Sequence, residues 1–107
     1  MNYDVLIPVR TGNTRLPGKS LKQIDGKEII FYLIDRLKTC KNIRKVIVCT
    51  TSLPSDDLLS KLLSRKKIDF FRGSEKDILD RFYSTSKKFE TDFIINVDGD
   101  DIYTDPF

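Results

Sequence analysis

Four short apolar runs separated by amphipathic stretches constrain this chain more than any other feature, because strands that alternate with helices fit few architectures. Residues 3–9 (Tyr-Asp-Val-Leu-Ile-Pro-Val), 45–50 around Val46-Ile47-Val48-Cys49, 68–71 and 92–97 (Asp-Phe-Ile-Ile-Asn-Val) read as strands. Their near-continuous apolar character suits a sheet covered on both faces, and Pro8 shortens the first ladder. Between them, Ile30, Leu33, Ile34 and Leu37 recur at helical spacing and predict a helix over 28–40, after a turn at Asp25-Gly26. Pro54, Asp56 and Asp57 open a second helix, with Leu58, Leu59, Leu62 and Leu63 as its apolar stripe and Arg65-Lys66-Lys67 at its end. Ser74, with Asp77 three residues on, resembles a capping box and opens a third helix to about residue 89, with Ile78, Leu79, Phe82 and Tyr83 inward.

The order β-α-β-α-β-α-β predicts right-handed crossovers and a Rossmann-like, three-layer α/β/α fold with a mainly parallel sheet. A chain of 107 residues is long enough for one domain and too short for two, so residues 1–107 are expected to form one unit. Tyr103-Thr104-Asp105-Pro106-Phe107 reads as a loop leading into further structure, which makes an incomplete domain the expectation.

The chain has no histidine, which removes imidazole as base, metal ligand or triad member and leaves carboxylates, Lys, Arg, backbone amides and a metal to do chemistry. Cys40 and Cys49 lack metal-ligand spacing and read as reduced, structural thiols of a cytoplasmic protein. No apolar run approaches the roughly 20 residues of a membrane span, and the first residues lack the basic segment of a signal peptide. Charge is uneven: residues 1–45 carry +6 and residues 46–107 carry −3, so an anion would meet the first half and a cation the second. Nucleic acid is not the expected partner, since Phe31, Tyr32, Phe70, Phe71 and Phe82 sit in apolar patterns that suit a core better than a stacking platform.

The stretch from Arg10 to Lys19 (Arg-Thr-Gly-Asn-Thr-Arg-Leu-Pro-Gly-Lys) follows the first strand and reads as a phosphate-holding loop. Arg10, Arg15 and Lys19 bring three cations, while Gly12, Pro17 and Gly18 let the backbone turn closely around a ligand. A Walker loop needs four residues between its glycines, and five separate Gly12 from Gly18; no Gly-x-Gly-x-x-Gly fingerprint is present either. Taken alone, Asp98-Gly99-Asp100-Asp101 is a polar turn after a strand, and Asp80-Arg81 is an ion pair on a helix surface.

Arg-x-Gly-x-Thr-Arg-Leu-Pro-Gly-Lys resembles the signature of the cytidylyltransferases that make CMP-activated sugar acids, including CMP-KDO synthetases. The likeness is greatest to the spore-coat polysaccharide branch. It continues through Gly26-Lys27, Thr50-Thr51, Phe71-Arg72-Gly73-Ser74-Glu75, Asp77, Leu79-Asp80-Arg81, Gly99-Asp100 and Asp105-Pro106. The resemblance implies a nucleotide-diphospho-sugar transferase fold of glycosyltransferase-A type. It also implies a reaction in which CTP and a sugar acid are joined with release of pyrophosphate, in cell-surface polysaccharide synthesis. By the same resemblance Arg15 and Lys19 are catalytic, and Arg10, Gly12 and Asn13 hold the nucleotide. Arg72, Ser74 and Asp80 border the nucleotide or sugar side, while Asp100, helped by Asp98, binds Mg²⁺. A homodimer of the full-length protein is also implied. Val9, Asn13 and Ile102 depart from the family pattern, where Ala, Ser and Pro are usual. Two alternatives stay open: a nucleotide-holding piece without catalysis, and a transferase of this fold that uses another nucleotide.

Overall fold

The computed structural model describes residues 1–9, 23–24 and 27–97. Strands β1 (Tyr3–Pro8), β4 (Lys45–Thr51), β5 (Phe70–Gly73) and β6 (Phe93–Asn96) form one parallel sheet in the order β5-β4-β1-β6. Helices α1 (Ile29–Leu37), α2 (Asp57–Arg65) and α3 (Ile78–Phe89) connect them. The three-layer, mainly parallel α/β architecture expected from the sequence is therefore the one observed. The pattern did not reveal a small antiparallel ladder, β2 (Gln23–Ile24) with β3 (Lys27–Glu28), in which Gln23 pairs with Glu28 and Ile24 with Lys27. It takes the first residue from the expected helix 28–40. The turn expected at Asp25-Gly26 lies outside the described residues.

The side chains divide by the two-residue period of a strand. Val5, Ile7, Val46 and Val48 face α1 and α2, where Ile30, Leu33, Ile34, Leu37, Leu59 and Leu63 close the larger core. Leu6, Ile47 and Cys49 face the other way, toward Phe82 and Phe89 of α3. Strand β1 is buried on both faces because helices cover each, as its unbroken apolar run requires.

Two helix faces differ from expectation. In α2, Leu59 and Leu63 are buried, while Leu58 is 59% exposed because it lies off the stripe. In α3, Ile78, Leu79 and Tyr83 are exposed, and the face turned inward carries Arg81, Phe82, Thr85 and Phe89. These four recur at helical intervals, so the inward stripe is real but mixed in polarity, which hides it from a purely apolar search. The third strand starts at Phe70 rather than Ile68; Ile68 is buried in the turn before it.

Candidate active site at the carboxyl edge of the sheet

From β1 the chain moves outward through β4 to β5, then returns to the opposite side of β1 as β6. This reversal lies between β1 and β6, where open α/β sheets bind ligands beyond the carboxyl ends of their strands. The two strands run level: Leu6 pairs with Asn96, and Val97 N donates to Leu6 O at 3.2 Å. The basic stretch follows β1 in the chain and the acidic stretch follows β6, so both depart from adjacent strands at one edge. Arg10, Gly12, Asn13, Arg15, Lys19, Asp98 and Asp100 themselves lie outside the described residues.

Among the described residues at this edge, Arg72 near the end of β5 is the most firmly oriented. Its Nε donates to Thr51 O at 2.7 Å, and its Nη2 donates to Leu53 O and Asp57 Oδ1, each at 2.8 Å. One side of the guanidinium thus ties the end of β4 to the start of α2, which fixes the plane of the whole group. The connection it grips is itself anchored, since the Thr51 hydroxyl donates to buried Asp56 and accepts from Leu53 N at 3.2 Å.

Asp77, rather than the Ser74 of the expected capping box, caps the following helix, since the helix starts only at Ile78. Asp77 Oδ1 accepts from Asp80 N at 2.9 Å, satisfying an amide that the first helical turn leaves open, and Ser74 Oγ accepts from Asp77 N at 3.1 Å and so holds the capping residue in place. Asp80 is exposed on that turn, where a carboxylate complements the helix dipole. Its neighbour Arg81 is 5% exposed and donates from Nη1 to Cys49 O at 3.3 Å. Arg81 therefore lies under the end of β4, so the surface-pair reading of Asp80-Arg81 fails. The available signal was its position four residues before Thr85 on the inward stripe. Gly73 makes room for it: a Cβ there would stand 2.9 Å from Phe71 Cε2 and 3.2 Å from Arg81 Cγ.

Two further groups bear on chemistry. Thr50 is fully buried and its hydroxyl has no hydrogen-bond partner, an uncommon state for a core polar group. Burial pushes the Cys49 thiol up to about 11, although the Thr85 hydrogen bond and the Arg81 charge draw it partly back. Cys49 is therefore a neutral thiol near pH 7 and no nucleophile. Among the described residues, no three Cys, Asp or Glu side chains converge on a metal position, and no helix is long and apolar enough to cross a membrane.

Comparison with known proteins agrees with this fold. The sequence pattern of the family described as cytidylyltransferase matches residues 5–106. The Bacillus subtilis spore coat polysaccharide biosynthesis protein SpsF is 30% identical over 105 residues, covering 94% of this chain and 44% of that protein. A cytidylyltransferase structure from Leptospira borgpetersenii superposes with a TM-score of 0.90 at 32% identity, covering 99% of this chain and 44% of the other. The structure of CMP:2-keto-3-deoxy-manno-octonic acid synthetase complexed with CTP gives 0.81 at 27% identity, covering 99% and 43%. The chain spans 41% and 44% of the first two curated relatives it matches. With the pattern aligned over nearly its whole length, the chain belongs to the cytidylyltransferase family.

Proposed function

We propose that this chain supplies the nucleotide-binding part of an enzyme that transfers CMP from CTP to a hydroxyl of a sugar acid and releases pyrophosphate. The strand order carries the reading, because β1 and β6 lie side by side. A stretch with Arg10, Arg15 and Lys19 and one with Asp98 and Asp100 therefore leave adjacent strands at the edge where such sheets bind ligands. The acceptor hydroxyl gives up its proton to solvent and its oxygen bonds to the α-phosphorus as the bond from that phosphorus to the oxygen bridging it to the β-phosphate breaks, and negative charge gathers on the departing pyrophosphate. Arg10, Arg15 and Lys19 offset that charge, Gly12 lets the backbone approach the phosphates, and Asn13 adds its amide.

Asp98 and Asp100 are hard oxygen donors of the kind Mg²⁺ selects, and bound there the ion would supply further compensation for the triphosphate. Arg72, with its plane fixed by the β4–α2 connection, borders the nucleotide or sugar side together with Ser74 and Asp80. The sugar acid rests on the relative that carries 2-keto-3-deoxy-manno-octonic acid in its name. A role in cell-surface polysaccharide synthesis rests on the spore-coat relative, and a cytoplasmic setting on the use of CTP as substrate.

Pyrophosphate release from CTP with a panel of sugar acids tests this reading. Release that needs CTP, Mg²⁺ and one particular acid supports transfer. CTP binding without release under any acid leaves the chain a nucleotide-holding role, and preference for another nucleotide defeats the assignment.

A further inference from the structure

The amino edge of the sheet holds a cavity of about 330 Å³, with Lys38, Ile43, Arg44, Lys45, Lys67 and Asp69 among its lining residues. It opens at the start of β4, whose seven residues put it about 20 Å from the carboxyl edge. Lys38 stands at the end of α1, Arg44 and Lys45 at the start of β4, and Lys67 in the connection from α2 to β5. Four cations thus face one carboxylate in the lining, and two positive charges remain once the buried Asp4 behind Arg44 is also counted. Arg44 is committed, since its Nε and Nη2 donate to Asp4 and its Nη2 also to Phe89 O. Lys45 Nζ reaches Asp69 Oδ2 at 3.4 Å, but both side chains are more than one-third exposed, so the contact contributes little. The ammonium groups of Lys38 and Lys67 have no acceptor among the described residues. Helix dipoles favour a basic residue at such ends, and Arg36 in α1 and Arg65 in α2 already supply it. Lys67 also has left-handed backbone, with φ 58°, where Gly is the favoured residue, so its side chain is kept against the preference of the backbone.

We infer that this cavity is a second anion site, which takes the phosphate group of a small phosphorylated ligand. A phosphate dianion matches the two charges left over, and ammonium groups bind phosphate as point charges that need no fixed fork. The volume lies at the lower end of ligand-binding cavities, which leaves room for a short organic group beside the phosphate. Ile43 gives that group an apolar contact. Asp69 is the one lining carboxylate that opposes an anion, and Lys45 lies against it. The same charge balance disfavours a metal ion. The inference is independent of the nucleotide chemistry, because the two edges stand at opposite ends of β4.

Amide chemical shifts of the 107-residue chain test it, followed during titration with glycerol 3-phosphate at constant ionic strength and without Mg²⁺. Saturating shifts should centre on Lys38, Lys45 and Lys67. Lys67→Gly removes a cation where Gly suits the backbone, so it should keep the melting midpoint and still weaken binding by about fivefold or more. Lys38→Gln should weaken it similarly from a different element. Shifts that never saturate, or that sodium chloride reproduces, mean screening of surface charge only and overturn the site. Saturating shifts confined to the carboxyl edge overturn it too, as does full binding by both variants. Inorganic phosphate is the second probe: tighter binding of the ester supports a phosphorylated ligand, and equal or tighter binding of the bare ion overturns that assignment.

Discussion

At the amino edge of the sheet, buried Asp4 accepts hydrogen bonds from Arg44 Nε at 3.1 Å, Arg44 Nη2 at 2.6 Å, Lys45 N at 3.1 Å and the Thr91 hydroxyl. At the carboxyl edge, Thr50 is equally buried and its hydroxyl is unpartnered, while Arg72 is fixed along one side by carbonyls of the chain. The amino edge is further tied by Asn2, whose N donates to Asp92 Oδ2 at 2.8 Å and whose Nδ2 donates to Glu90 O at 3.0 Å. Each helix-to-strand connection there also contains a residue with positive φ: Asn42 at 71°, Lys67 at 58° and Glu90 at 56°. The same strands thus end in two chemistries. One end satisfies its buried polar groups completely, and the other leaves the buried Thr50 hydroxyl unsatisfied and the Arg72 guanidinium part-exposed.

Removing Asp4 gives the largest test of this contrast. Asp4→Ala should cost about 2 kcal/mol in urea unfolding, because it leaves Lys45 N and the Thr91 hydroxyl without this acceptor and the part-exposed Arg44 guanidinium with only Phe89 O. A loss below about 1 kcal/mol would erase the distinction between the edges. Burial alone would raise the Asp4 carboxyl, but hydrogen bonds from Arg44 and Thr91, the Arg44 charge and the Lys45 amide hold it below its ordinary 3.8. The sign follows: its contribution is complete above 3.8 and drains away as pH falls from there through the lower native value. The acid limb of unfolding should therefore flatten in Asp4→Asn.

At the carboxyl edge, Gly73→Val should cost about 2 kcal/mol by driving a side chain into Phe71 and the stem of Arg81. Wild-type stability would show that Arg81 is free to shift. Thr50→Val should do the opposite and stabilise the ligand-free protein by about 1 kcal/mol, since it exchanges an unsatisfied buried hydroxyl for a methyl of similar shape. Destabilisation would reveal a partner for that hydroxyl. Smallest of all, Lys67→Gly and Glu90→Gly should each gain about 0.5 kcal/mol by relieving left-handed backbone, with no gain expected from Asn42→Gly, because Asn tolerates that region. Thermal melts resolve these differences when the variants are run side by side.

Much of this architecture was legible because each of the four apolar runs is long enough to require a sheet, and the stretches between them carry helical periodicity. Three features were not. The β2–β3 ladder is two residues per strand, too short to leave a period. The inward face of α3 mixes Arg81 and Thr85 with Phe82 and Phe89, so its apolar residues alone point the wrong way. Strand β6 reads as buried because its composition answers to an interior position, while the four-stranded sheet leaves it at the edge. At the site, the resemblance named Arg72, Ser74 and Asp80, and the structure separates them: Arg72 is a fixed guanidinium, Ser74 an acceptor for the amide of the capping Asp77, and Asp80 an exposed first-turn carboxylate. Arg81 and Thr50 stand in the motifs that carry the resemblance, but their burial was not legible from the apolar pattern that marks the core.

The central claim is that the carboxyl edge holds CTP, and calorimetric titration of the wild-type chain and Arg15→Ala with CTP and ATP, with and without Mg²⁺, tests it most directly. The account predicts Mg²⁺-dependent binding that favours CTP over ATP and weakens by about tenfold or more in Arg15→Ala, with the melting midpoint of the ligand-free protein unchanged. Equal affinity for CTP and ATP, together with full binding by Arg15→Ala, would contradict it.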